Sequence, residues 1–360
     1  MFFSHVLYIV LAFSPLVVIS WGDTWNDPQI FLINVVGILL FLVAKLPSFK
    51  ALLKNPLTIA MWVLALFLFV QGFFLNILSK DTFALISALA IYGVVINLEQ
   101  EKINRELIAG AFVVSALLQS ALVIFQFFFF DPLHAETINQ FIKWRASGTM
   151  GNPNRVAHYL GLVLVYLFTQ DLKNSKINAA LFIISAAFVL TISRLSFVAL
   201  FFVIIFLAFK EFLDWKKLRA SFLGGLAAIL AVIVSGNLEE YLKSLFLLKS
   251  VAGRINQHVN AFELINATNF IWGIGHNRYQ TIPGVSDTYI HNDFLTMLVE
   301  NGLIGFIVFI LIIGLSWKLI FSKKLQNIAY LIFLIPLMFF DFPLKNQCIL
   351  SSLFLLAILK

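Results

Sequence analysis

The chain has 360 residues, of which 61% are hydrophobic and only 12% charged, with a formal net charge of +7. Its mean hydropathy is +0.95. Soluble domains carry about 25% charged residues, so this composition excludes one and predicts an all-α polytopic membrane protein, a single integral domain over 1–360. The apolar runs are continuous rather than alternating, which excludes a β-barrel. The positive charge sits mainly in short connections, where it sets topology rather than binding nucleic acid.

Read in chain order, the apolar runs predict about twelve transmembrane helices: 3–20, 29–44, 56–78, 83–98, 107–130, 155–169, 177–193, 195–209, 220–235, 294–316, 326–341 and 347–359. Met1-Phe2-Phe3-Ser4-His5 lacks a basic n-region and no A-x-A-like site follows, so the first run is expected to be a retained helix. Cys348 is the sole cysteine, which excludes an intrachain disulfide and any CxxC motif.

Lys45, Lys50, Lys54, Lys102, Arg105, Lys173, Lys176, Lys210, Lys216, Lys217, Arg219, Lys318, Lys323, Lys324 and Lys360 fall in one set of connections. The positive-inside rule makes that set cytoplasmic, with both termini inside. The opposite side carries two long segments, 131–154 and 236–293, with Trp144, Trp272, Tyr279 and Tyr289 suited to an interfacial aromatic belt. For a bacterial inner (cytoplasmic) membrane protein this side is the periplasm. Nucleotide-activated substrates are scarce there, so an enzyme would need a pre-activated, membrane-borne substrate.

The polar residues gather on that side. Lys143, Arg145 and Arg155 flank Asn152-Pro153-Asn154, where Pro153 suits a first helical turn and the exposed amides favour an anion. These cations serve equally as interface anchors. Ser193-Arg194 separates two apolar runs with almost no loop. An arginine at mid-bilayer costs roughly 2.5–3.5 kcal/mol even on the lenient scale, which places Arg194 at a hairpin tip facing headgroups or a polar cavity.

The 236–293 loop between the ninth and tenth spans is predicted to be partly helical. One amphipathic pattern follows Asn237; a second runs from Arg254 to about Ala267, with Ile255, Val259, Phe262, Leu264 and Ile265 as a partial apolar stripe. Gly273-Ile274-Gly275 and Pro283-Gly284 read as turns. Arg254 is either a solvated or snorkelling arginine or a bidentate phosphate clamp. His291 opens the tenth span. It is either an interface histidine or a general base, since histidine is the side chain type that titrates near neutrality. Asn292 and Asp293 could orient it or start the helix. Glu300, seven residues after Asp293, falls on nearly the same stripe and should face the bundle interior. His276, Asp287, His291 and Asp293 are metal-ligand types, but no H-x-x-x-H or H-E-x-x-H spacing is present. No G-x-S-x-G elbow occurs either.

Four stretches together resemble the superfamily of O-antigen ligases and Wzy-type polymerases, bacterial membrane glycosyltransferases. Gly148-Thr149-Met150-Gly151-Asn152-Pro153-Asn154 resembles the family's G-x-x-x-N-x-N at the start of a central helix. Ser193-Arg194 resembles its SR hairpin. Gly253-Arg254 with Gly273-Ile274-Gly275 resembles its long-loop signature, and His291-Asn292-Asp293-Phe294-Leu295 with Glu300-Asn301-Gly302-Leu303-Ile304-Gly305 its closing block. One departure stands out: His258 occupies the place, four residues after the loop arginine, where the family often has tryptophan.

The resemblance implies a glycan donor on undecaprenyl pyrophosphate and transfer without metal, nucleotide or other cofactor. The acceptor would be lipid A-core, or another glycan, at the bilayer. Arg194 and Arg254 are then the expected pyrophosphate clamps, with Arg145, Arg155, Asn152, Asn154, Asn292 and Asp293 binding substrate and His291 as base. O-antigen ligation leads. Repeat-unit polymerisation, protein O-glycosylation and, from another class, a lipid-linked glycan flippase or transporter are the alternatives. The transporter reading predicts discontinuous helices and charges near the bilayer midplane.

Overall fold

The computed structural model describes residues 49–76, 80–95, 97, 105–129, 146–150, 152–170, 175–246, 249–267, 269–279, 282, 290–321 and 326–340, with isolated positions between 6 and 39. Beyond a short turn at Phe49–Leu52, the helices are α1 (Pro56–Phe74), α2 (Lys80–Val95), α3 (Arg105–Phe128), α4 (Pro153–Thr169), α5 (Ser175–Leu190), α6 (Arg194–Phe209), α7 (Trp215–Val234), α8 (Leu238–Phe246), α9 (Lys249–Glu263), α10 (Asp293–Phe321) and α11 (Gln326–Phe340). Every expected span between 56 and 341 is a helix, and no strand occurs among the described residues. α1, α3, α7 and most of α10 are long and apolar enough to cross a membrane. This is an all-helical membrane protein. The expected spans 3–20 and 29–44 fall largely outside the described residues, and 347–359 wholly so, as do Arg145, Trp144 and Tyr289.

α4 is the centre of the bundle. Every residue from Val156 to Thr169 is buried, and α3, α5, α6 and α11 pack around it. Burial on every side leaves this helix neither a lipid face nor a water face. Gly161 admits the ring of Phe333 from α11, which a Cβ would displace. The Tyr159 hydroxyl donates to Ser115 Oγ of α3 at 3.1 Å. The sequence places Lys217 in a connection, but α7 starts earlier than expected and Lys217 is buried. Its ammonium donates to the carbonyls of Leu167, at 3.1 Å, and Gln170, so it caps the C-terminal turn of α4.

The neighbouring contacts use small residues and amides. α5 and α7 approach so closely that Gly224 lies against the Phe182 carbonyl, and Ser185 meets Ser221 at 2.6 Å. α1 and α2 are joined through Asn97, which accepts from Asn55 Nδ2 at 2.8 Å and donates to Thr58 Oγ1 at 2.7 Å and to the Gly93 carbonyl at 2.9 Å.

α10 is not one helix. Gly302, at φ +64° and ψ −171°, interrupts it. In an unbroken helix the amides of Leu303 and Ile304 would donate to Val299 and Glu300. Here they donate to the carbonyls of Phe270 (2.8 Å) and Ile271 (3.3 Å), while the freed carbonyls of Val299 and Glu300 accept from Ile274 (3.0 Å) and Gly275 (2.8 Å). Residues 270–275 are thus inserted into the break. Gly273, at φ +76°, crosses Gly302 backbone against backbone, and a Cβ on either would collide with the other strand. From α1, Gln71 Nε2 donates to the Glu300 carbonyl at 2.9 Å and to that of Trp272. The Trp272 ring stacks on Phe67 with centroids 6.0 Å apart. Glu300 lies seven residues into α10, so the insertion reaches about 10 Å below the start of that helix. Gly273-Ile274-Gly275 is more than the turn expected from sequence: it is the seal of a broken helix.

Gly273→Ala should therefore destabilise the fold by at least about 2 kcal/mol, from overpacking added to a left-handed backbone. Thermal unfolding in detergent measures this, with Gly253→Ala, whose Cβ meets nothing inside helix α9, as the control expected to be stabilising by about 0.5–1 kcal/mol.

Candidate active site

The hairpin between α5 and α6 turns on Thr191, Ile192 and Ser193. Amides of Thr191 and Ile192 close the end of α5 on the carbonyls of Phe188 and Val189. Ile192 adopts φ +54°, a strained conformation for a β-branched residue that costs about 1–3 kcal/mol. Burial of Ile192 and the contact of Ser193 Oγ with Ser196 Oγ at 2.9 Å hold it there. From α8, the Tyr241 hydroxyl donates to the Val189 carbonyl at 3.2 Å, fastening the long loop to the hairpin. Arg194 is half-buried as the first residue of α6.

α9 carries the next group. It begins at Lys249, earlier than expected, and ends at Glu263. Ile255 (57% exposed), Val259 (50%) and Phe262 (59%) face outward, while Gln257 and Ala261 are buried and Arg254 and His258 half-buried. Leu264 and Ile265, read as part of the same stripe, instead pack with Ala261, Tyr279, Ile290, Leu295 and Val299 in a small core that ties α9 to the first turns of α10. Tyr279, expected in an aromatic belt, is in that core at 1% exposure, with its hydroxyl 3.5 Å from the Gln257 carbonyl as donor.

This packing brings the separated candidates together. Arg254 is close enough to Arg194 for the two guanidinium charges to repel. One turn on, His258 hydrogen-bonds to the main chain of Ile290 and His291 and senses the charges of His291 and Arg254. Burial holds the His258 pKa below its ordinary 6.5. The main-chain bonds oppose that shift, and the neighbouring charges add to it. His291 sits half-buried at φ +53° immediately before α10. Asn292 is the helix cap: its Oδ1 accepts from the Leu295 amide at 2.9 Å, so its carbonyl oxygen is committed to starting the helix. Asp293, the first residue of α10, is buried. Deeper, buried Glu300 has Oε2 3.7 Å from His276 Nδ1. No group of three or more potential metal-ligating side chains occurs among the described residues.

The motif before α4 is built differently. Gly148, at φ +55°, is held by Gln126 of α3, which donates to its carbonyl at 2.9 Å and accepts from its amide at 2.7 Å. Thr149 Oγ1 donates to Gln119 Oε1 at 3.0 Å. Asn152 Oδ1 accepts from the Asn154 amide at 2.8 Å, again a cap, with Pro153 in the first turn. Arg155 is half-buried in that turn. Gln71, Gln119 and Gln126 went unremarked in the sequence. The three glutamines carried a signal, being amides inside apolar runs; His258 carried one only as a departure from a family pattern.

Residues 179–310 match the family model for O-antigen ligases. The matched stretch holds Arg194, Arg254, His291 and Glu300, and leaves the 148–154 motif outside. No curated protein matches the chain. The match agrees with the resemblance carried by the motifs. It supports a membrane enzyme of the glycosyltransferase type that handles lipid-linked glycans, at the level of ligase or polymerase.

The depressed His258 pKa has a stability consequence. Its neutral form is favoured by the fold, so the contribution is complete above the unfolded value near 6.5 and is lost as pH falls toward the lower folded value. Melting temperature followed from pH 8 to 5 should drop less steeply in His258→Asn than in the parent protein.

Proposed function

We infer that this protein transfers a glycan from undecaprenyl pyrophosphate to a sugar hydroxyl on the periplasmic face of the inner membrane, with ligation to lipid A-core as the leading case. The observation that carries the reading is the convergence of Arg194 and Arg254, with His291 beside them through His258. Two cations held in mutual repulsion at a bilayer boundary suit an anionic partner of more than one charge, and a pyrophosphate is one. α5 and α6 have 16 residues each, hence about 24 Å of length against a hydrocarbon core of about 30 Å. Their hairpin tip then lies about 6 Å inside the far edge of that core, a distance an arginine side chain spans by snorkelling toward the headgroups, where a lipid-borne pyrophosphate resides.

In this reading the acceptor oxygen attacks the anomeric carbon while the bond from that carbon to the pyrophosphate oxygen breaks. The electron pair leaves with the lipid pyrophosphate, whose growing charge Arg194 and Arg254 neutralise. His291, as the neutral imidazole, takes the hydroxyl proton. A single displacement inverts the anomeric centre. Arg155, and Arg145 beyond the described residues, would add positive potential; Asn152, Asn154, Asn292 and Asp293 would shape the groove mainly by fixing helix starts.

The break in α10 is the one observation that favours transport, which calls for discontinuous helices. Its freed backbone groups, however, are taken up by residues 270–275 and are not presented to a passing solute.

His291→Ala and Arg254→Ala should each lower glycan transfer by at least about 100-fold with membrane insertion intact. Normal lipopolysaccharide or capsule ladders from either variant would sink the mechanism. Deletion followed by a lipopolysaccharide gel separates the acceptors. Core without O-chain indicates ligation, core with one repeat indicates polymerisation, and an unchanged ladder points to protein glycosylation or to neither.

A further inference from the structure

α9 has three sides rather than two. At about 100° per residue, Ile255, Val259 and Phe262 form one exposed row, and Asn256, Asn260 and Glu263 form a second exposed row beside it. Gln257 and Ala261 are buried on the third side, where Ala261 joins the small core. Half-buried Arg254 and His258 lie between the apolar row and the buried side, on the edge away from the polar row. A helix packed on protein and otherwise surrounded by water needs only a buried side and a polar side. An apolar row exposed next to a polar row is the pattern of a helix lying in a membrane interface.

Two helices fix the depth of this region. α9 packs through Ala261, Leu264 and Ile265 on Leu295 and Val299, in the first two turns of α10. Beyond α9, Phe270, Ile271 and Trp272 lie deeper, at the Gly302 break and, for Trp272, against Phe67 of α1. α1 has 19 residues, hence a length of about 28 Å, close to the hydrocarbon thickness of about 30 Å. Phe67 lies seven residues before the end of α1, and Glu300 seven residues after the start of α10. Both helices therefore put the segment about 10 Å inside. At that depth the three side chains are 41, 49 and 51% exposed. Their carbonyls are all taken: Phe270 by the Leu303 amide, Ile271 by the Ile304 amide and Trp272 by Gln71. Apolar side chains turned outward over carbonyls satisfied within the protein are what hydrocarbon demands and water does not. Just beyond the break, α10 itself exposes Ile307, Ile310 and Leu311 in its membrane-spanning part.

We propose that the long loop is partly immersed in the bilayer: the Ile255–Val259–Phe262 row of α9 rests among lipid acyl chains near the headgroups, and Phe270, Ile271 and Trp272 form a re-entrant wedge about 10 Å deep in the same leaflet. The occupant of this face is lipid hydrocarbon. The Asn256–Asn260–Glu263 row then faces water, and Arg254 sits at the lipid edge of α9, at the level of the headgroups. This immersion goes beyond the glycan-transfer reading and is independent of it.

The test uses the whole chain carrying Cys348→Ser, in vesicles of phosphatidylethanolamine and phosphatidylglycerol, with one nitroxide label at a time on Val259→Cys, Ile271→Cys or Asn260→Cys. Electron paramagnetic resonance reads the collisions of each label with oxygen, which concentrates in hydrocarbon, and with a water-soluble nickel chelate. The oxygen-to-nickel ratio should be at least about 3-fold higher at positions 259 and 271 than at 260, and highest at 271. If a label prevents folding, judged by thermal unfolding, Ile255→Cys replaces Val259→Cys and Phe270→Cys replaces Ile271→Cys. A smaller excess at either position means contact with water and overturns the proposal. Low collision with both reagents means cover by protein, from a second copy or from this chain, and overturns it equally. A ratio at 271 below that at 259 removes the wedge. An active His291→Ala, which would end the base assignment, leaves these ratios unchanged.

Discussion

The site depends on a two-for-two exchange of backbone hydrogen bonds at Gly302. A helix in hydrocarbon cannot simply stop, because no water is present to satisfy the groups it releases. α10 releases two carbonyls and two amides, and residues 270–275 take up all four. That exchange fastens the long loop between α10 and α1, with Gln71 and the Trp272–Phe67 stack as its side-chain supports. The small core around Tyr279 and Ile290 is continuous in sequence with this anchor, and α9 rests on that core. A loop pinned in this way can hold an arginine and a histidine in fixed relation to the α5–α6 hairpin.

The electrostatics follow from that rigidity. Bringing Arg194 and Arg254 together is unfavourable by itself, and more so away from bulk water. The fold supplies the work through packing elsewhere: the burial of Ile192, the Tyr241 tether and the seating of α9. An anion entering between the two guanidinium groups would relieve the repulsion.

Much of the bundle was legible in the sequence because a long apolar run in a membrane protein permits little besides a helix. Arg194 was legible for a related reason, since a cation between two such runs is costly unless the chain turns there. The loop was less so. Ile255, Val259 and Phe262 have the spacing of a core-facing stripe, and periodicity alone cannot say whether the apolar side of a helix meets protein or lipid. Gly273 read as a local turn and Gly302 as part of an unbroken span, whereas each exists for the other across a gap of chain. Asn152 and Asn292 looked like ligands because asparagine serves binding and capping with the same atoms. His258 became informative only once the main chain of His291 lay beside it.

The central helix has a further consequence, for biosynthesis. α4 has no lipid-facing side, yet three of the helices that enclose it, α5, α6 and α11, are made after it, and Phe333 of α11 fills the notch at Gly161. A nascent chain that has just released α4 into the bilayer leaves its Gly161 face uncovered until α11 docks. The last described helix is therefore the closing piece of assembly, and the lifetime of the half-made protein is set by the interval between the synthesis of α4 and the docking of α11.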